Sequence, residues 1–175
     1  MNLQPEQATF LARIFLHQIE SEQKTTSRVL AAIPSDHQDY RPDPKAKTAM
    51  ELGWHIASSD VWFMDSVVAG AFNPGGGEMP KEIKSSADLA AWYDQHFAAS
   101  AAKGKALSGD HLAKPLNFYN VFNMPGVMYL NFLALHMVHH RGQLSTYLRP
   151  MGGKVPSIYG GSADEPFQMP AVAQA

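Results

Sequence analysis

Residues 125–150 read PGVMYLNFLALHMVHHRGQLSTYLRP, and the way this stretch folds decides the architecture of the chain. Pro125 suits a first helical turn, where its missing amide costs little, and Pro150 with Gly152 and Gly153 closes the run. No proline interrupts it, which predicts a helix over about 124–149, roughly 35–40 Å long at 1.5 Å per residue. At 100° per residue, Tyr129, Leu133, His136, His140, Leu144 and Tyr147 share a sector about 80° wide. That sector is the core-facing stripe, and two histidines lie on it.

Three further helices are predicted upstream. The first covers about 6–32, carries Phe10, Ile14, Leu16, Val29, Leu30 and Ile33, and stops at Pro34. The proline-bearing YRPDPKAK is an extended linker, after which Thr48 and Glu51 form a capping box that opens a helix over about 48–70. Ser85 and Asp88 repeat that signature for a helix over about 86–107. NFYNVF, residues 117–122, reads as loop, and the turn-rich GGKVPSIYGGSADEP as a tail folding back over the helices. From about Gln168 onward the chain lacks periodicity and reads as loosely ordered. Four long helices and no convincing strand predict an all-α four-helix bundle, with residues 1–175 as one domain.

Composition narrows the function. A net charge of −2 gives no basic excess to neutralise phosphates, so nucleic acid is not an expected partner. Cysteine is absent, which removes disulfides, thiolate ligands and a cysteine nucleophile together, and agrees with a cytoplasmic location. No apolar run reaches the roughly 18 residues a membrane span needs, and MNLQPEQATF lacks the layout of a signal peptide.

His136 and His140 are four apart, which on a helix puts both rings on one face with Cβ atoms about 5–6 Å apart. Two nitrogens so placed can reach one ion at roughly 2.0–2.1 Å each. Two neutral rings stacked on an apolar face need partners, and two charged rings repel; a shared cation answers both. A bundle draws a third ligand from a facing helix, and His55 in ELGWHIASSD sits at the edge of the second helix's buried face, with Ser59 and Ser66 leaving room for a cavity. His17 and His96 are the substitutes, while His37 and His111 fall in a linker and a loop and His139 at the rim. Met137 follows the first histidine where a zinc protease carries its glutamate, so the run supplies no general base of that kind. Three neutral histidines leave a coordination position open, the pattern of a reactive site rather than a structural one.

HxxxHRGQL in the last helix, ELGWH in the second, the linker YRPDPKAKTAM and the tail GGKVPSIYG together resemble the DinB-like (YfiT-like) metalloenzyme family, from about Phe10 to Tyr159. The resemblance implies a four-helix bundle with an unusual order of connections. It also implies a divalent metal, zinc or nickel first and iron or manganese as alternatives, on three histidines that correspond to His55, His136 and His140. It implies a low-molecular-weight-thiol S-transferase or a hydrolase, in which a metal-bound thiolate or water acts on a small-molecule substrate. Characterised relatives use thiols such as mycothiol or bacillithiol. The alternative from another class is a non-catalytic metal-binding stress-response protein. A homodimer is expected, as for many such bundles.

Other residues carry secondary expectations. Glu51, four before His55, is either a carboxylate that orients that ring or simply the capping-box partner. Arg141, turned about 100° off the stripe, is read as a surface or inter-helix ion pair, with anion binding as the functional alternative. Gln143 is placed to hydrogen-bond near the site, and Gly142 to allow close helix packing. Trp54, Trp62 and Trp92 are read as core rather than as a substrate platform, and Tyr159 as a residue that could cover the cleft.

Overall fold

A computed structural model describes residues 2–75 and 77–167. The expectation for the segment from Gln168 onward lies outside them. Four long helices form the body: α1 (Pro5–Ala31), α2 (Ala49–Ala69), α3 (Ser86–Lys105) and, last in the chain, α5 (Gly126–Leu148). A single helical turn, α4 (Gly109–Ala113), and two short strands, β1 (Pro115–Phe118) and β2 (Phe122–Pro125), stand between α3 and α5.

The helix boundaries follow local chemistry. Thr48 Oγ1 accepts from the Glu51 amide at 3.1 Å and the Glu51 carboxylate accepts from the Thr48 amide at 2.7 Å, so two orphan donors at the start of α2 are satisfied reciprocally. Ser85 and Asp88 do the same for α3. Gly70 ends α2 at φ 71°, a left-handed conformation that suits a residue without Cβ.

The long helices close into a ring in which α1 packs on α3 and α5, and α2 packs on the same two. Consecutive helices α1 and α2 therefore lie across the diagonal, and so do α3 and α5. The linker between α1 and α2 crosses one end, and α4 with the hairpin makes the second diagonal crossing. This order places α2 directly beside α5, which is what the site requires.

The core is continuous along the bundle, from Ala8, Leu16 and Ile19 of α1 through Leu52, Ile56, Phe63 and Val67 of α2 to Tyr129, Leu133, Leu144 and Tyr147 of α5. Phe10 and Ile14, the bulkiest apolar residues early in α1, point outward and are 63% and 47% exposed. The inner face there is set by the phase of Ala8, Ala12 and Leu16, half a turn away.

The segment expected to be loop is a β-hairpin. Pro115 pairs with Pro125 and Phe118 with Phe122 in antiparallel register. The turn holds Tyr119 at φ 49° and Asn120 at φ 59°, and Asn117 Oδ1 accepts from the Asn120 amide at 2.8 Å. A tyrosine in the left-handed region hid the hairpin, whose usual signal is an Asn-Gly or Asp-Gly pair. Gly142 also departs from expectation: a Cβ there would meet nothing within 4 Å, so close packing does not require the glycine.

The tail from Pro150 folds back as expected. Arg149 Nε donates to Asp164 at 3.0 Å, and Arg28 pairs with Glu165 at 2.5 Å. None of the described helices is long and apolar enough to cross a membrane.

Candidate metal centre

α2 and α5 lie side by side, and each turns histidine toward the other. His55 Nε2 and His140 Nε2 are 3.3 Å apart. The His136 ring lies 5.4 Å from that of His55 and 4.5 Å from that of His140, centroid to centroid. One nitrogen from each of the three rings falls within 4.8 Å of the other two, so the cluster could hold a metal ion. All three rings are half-buried.

The outer nitrogens decide what the inner ones offer. His136 Nδ1 donates to Asp60 Oδ1 at 2.9 Å, and His140 Nδ1 to Gln143 Oε1 at 3.1 Å. Both partners accept, so both Nδ1 atoms carry the proton and both Nε2 atoms present a lone pair. His55 Nδ1 is 3.3 Å from the Ser59 hydroxyl. Lone pairs facing one another at 3.3 Å repel unless a proton or a cation lies between them. Two nitrogens about 2.1 Å from one ion in tetrahedral array are about 3.4 Å apart, close to the His55–His140 separation. The donor set, neutral imidazoles with their far nitrogens hydrogen-bonded, suits a borderline divalent ion.

Burial and the neighbouring His140 and His136 pull the His55 pKa down to about 4. Burial lowers that of His140 as well, against the opposing hydrogen bond to Gln143. His55 is therefore neutral at ordinary pH and free to ligate.

Asp60 is fully buried, and its second oxygen accepts from the Tyr93 hydroxyl of α3 at 2.9 Å. Burial raises the Asp60 pKa while the bonds from His136 and Tyr93 oppose the rise. Both oxygens meet a donor, so the carboxylate acts as acceptor on both sides. Sequence reasoning overlooked Asp60 and Tyr93. The signal was there: Asp60 is the one acid on the Leu52–Ile56–Phe63–Val67 stripe of α2, where an unpaired charge is costly.

The remaining expectations divide. Gln143 does hydrogen-bond at the site. Glu51 does not touch His55: its carboxylate is taken by the Thr48 amide and lies 3.8 Å from Arg41, because capping fixes its direction, and Ser59 stands behind His55 instead. Arg141 makes the inter-helix ion pair, and makes it in the core. It is 1% exposed, 2.5 Å from Glu22 of α1, and its other terminal nitrogen donates to Tyr159 Oη at 2.7 Å. Tyr159 thus reaches the Arg141–Glu22 pair and does not line the cleft at His55. His17, His37 and His139 are exposed; His96 stacks on Trp92 and His111 bonds the Val67 carbonyl.

His55 opens on a cleft of about 380 Å3 whose walls include Lys47, Trp54, Ser58, Ser59 and Met79. A second hollow of about 400 Å3 continues along α2 and shares Trp54, Ser58 and Gly77 with the first. Trp54, Trp62 and Trp92 pack half-buried against the core, as read from the sequence, and their outer sides wall this second hollow.

The sequence model of the DinB family matches residues 6–168. The chain belongs to the DinB family. Among its relatives, the Bacillus subtilis protein YrdA, itself uncharacterised, is 29% identical over 155 residues, covering 86% of this chain and 89% of YrdA. The uncharacterised YjoA of the same organism is 25% identical over 134 residues, covering 75% of this chain and 85% of YjoA. Two crystal structures share the fold. A DinB-like protein from Bacillus cereus superimposes with a TM-score of 0.68 at 22% identity, over 83% of this chain and 95% of that one. B. subtilis YjoA gives 0.67 at 23% identity, over 81% and 95%. An all-α DinB-like bundle is thereby shown, and a three-histidine cluster within it is compatible with metal binding.

Proposed function

We propose that this DinB-family chain works as one domain that binds a divalent metal through His55, His136 and His140 and uses it in catalysis on a small molecule. The observation that carries the reading is the tautomer pattern: Asp60 and Gln143 fix the Nδ1 protons of His136 and His140, which leaves their Nε2 lone pairs free, and His55 Nε2 lies 3.3 Å from that of His140. Zinc and nickel are among the ions that an all-imidazole set suits. A divalent ion on these rings would polarise a sulfur or oxygen ligand at neutral pH.

This chain's own residues set the rest. Asp60 and Tyr93 hold His136 in one orientation, and Ser59 stands behind His55. Lys47 lines the cleft beside His55 together with the carboxylates Glu51 and Glu78, so the wall offers charges of both signs to a polar substrate. A cleft beside the cluster favours a catalytic centre over a closed structural one. The reaction class is thiol S-transfer or hydrolysis, in the cytoplasm and as a homodimer.

Metal-loaded and metal-stripped protein should be assayed side by side, with N-acetylcysteine plus an activated aryl halide and with a nitrophenyl ester. Metal-dependent consumption of thiol supports the transferase, and metal-dependent ester cleavage the hydrolase. A full equivalent of metal with neither activity would reduce the protein to a non-catalytic metal binder.

A further inference from the structure

The face of α2 that carries His55 continues as Ser58, Ser59, Trp62, Ser66 and Ala69, so large rings alternate with small side chains. From His55 to Trp62 is seven residues, roughly 10 Å along the axis. The two hollows along this face meet at Trp54, Ser58 and Gly77. Each is larger than the roughly 150 Å3 that accommodates a benzene ring.

The three indoles make an apolar box. Trp54 and Trp92 meet edge to face at 4.7 Å between centroids. Both indole N–H groups on α2 are already used, Trp54 Nε1 to the Gly77 carbonyl and Trp62 Nε1 to the Asn73 carbonyl, each at 2.9 Å. The loop after α2 is thus pinned to the rings, and Gly75 lies so close to Trp62 that a Cβ there would come within 2.0 Å of the ring. The Ser58 hydroxyl is likewise committed, donating to the Trp54 carbonyl at 2.7 Å. Asp65, the one charged wall residue, faces Lys103 at 3.9 Å. What remains open to a ligand is chiefly ring face and methylene, with Asn73 and Ser66 as the uncommitted polar side chains of the wall, which favours flat apolar groups.

We infer that the tryptophan-lined hollow is the specificity subsite of the metal centre, and that the substrate carries an aromatic or other flat apolar group about two helical turns from its metal-binding head. The inference rests on the metal reading above, and its test separates the two. The probes are hydroxamates, which chelate the metal through one head group: acetohydroxamate, and benzo-, 3-phenylpropano- and 4-phenylbutano-hydroxamate as a series of increasing reach. Affinity is measured by titration on zinc-loaded protein, with quenching of indole fluorescence as a second readout.

The phenylalkyl members should bind roughly tenfold to a hundredfold tighter than acetohydroxamate, with an optimum at intermediate or long reach and with quenching that acetohydroxamate lacks. Ser58→Leu, which fills the junction of the hollows, and Trp92→Leu, which removes a wall on α3, should each abolish the preference while metal content stays at one equivalent. Equal affinity across the series, or a preference that survives both variants, overturns the subsite and leaves the metal reading standing. A protein that binds neither zinc nor any hydroxamate overturns both.

Discussion

Asp60 of α2 receives the His136 Nδ1 proton from α5 at 2.9 Å on one oxygen and the Tyr93 hydroxyl from α3 at 2.9 Å on the other, so one buried carboxylate ties three helices to one ring of the cluster. This arrangement fixes the orientation and tautomer of His136. Asp60→Asn keeps the size but puts an amide where an acceptor is needed. Metal affinity, measured by competition with a chromophoric chelator, should fall about 10–100-fold. An unchanged affinity would show that Asp60 is only a satisfied core polar group.

Tyr93→Phe leaves Asp60 Oδ2 buried without its donor. Urea unfolding of the metal-free protein should show a loss of about 1–3 kcal/mol. The hydroxyl has no other partner among the described residues, so a smaller loss would mean that water replaces it.

The Arg141–Glu22 pair is the second buried polar feature, and it sits one residue beyond His140. Arg141 is 1% exposed and Glu22 6%. Glu22→Ala strands a guanidinium in the core and should destabilise the fold by about 3–5 kcal/mol. Tyr159→Phe removes one hydrogen bond to each partner and should cost about 1 kcal/mol. Comparable losses in the two variants would show that the tail, rather than the ion pair, holds this region.

Acid should weaken the metal-free protein through the cluster. His55 in the fold has its pKa lowered to about 4, whereas in the unfolded chain it titrates near about 6.5. Between these values the unfolded state binds more protons, so stability is full above the unfolded pKa and is lost as pH falls toward 4. Asp60, with its raised pKa, acts in the opposite sense, so the comparison must be internal. The stability of wild type minus that of His55→Gln should decline from pH 6.5 to 4, read from urea midpoints. A flat difference would contradict the neutral, crowded state of the ring.

Much of this could be read from the sequence, for identifiable reasons. The long helices are legible because capping boxes at Thr48 and Ser85 and the prolines at 34, 125 and 150 mark their ends. The three histidines are legible because helical phase puts His136 and His140 on one stripe, and a facing helix offers His55. The hairpin was hidden by Tyr119 at the turn. Asp60 and Tyr93 were hidden because their roles depend on α3 lying beside α2, and periodicity within one helix does not report its neighbours. Arg141 was placed off the stripe correctly, but α5 has a second buried face against α1, which a single-stripe reading does not contain.

The central claim is that three imidazoles on two adjacent helices share one ion. Metal analysis of the purified protein and of His55→Ala, His136→Ala and His140→Ala, each checked for helicity, tests it most directly. The account predicts close to one divalent ion per chain in the wild type and a small fraction of that in each folded variant. A full equivalent retained by all three variants, or none in the wild type after loading with zinc or nickel, would contradict it.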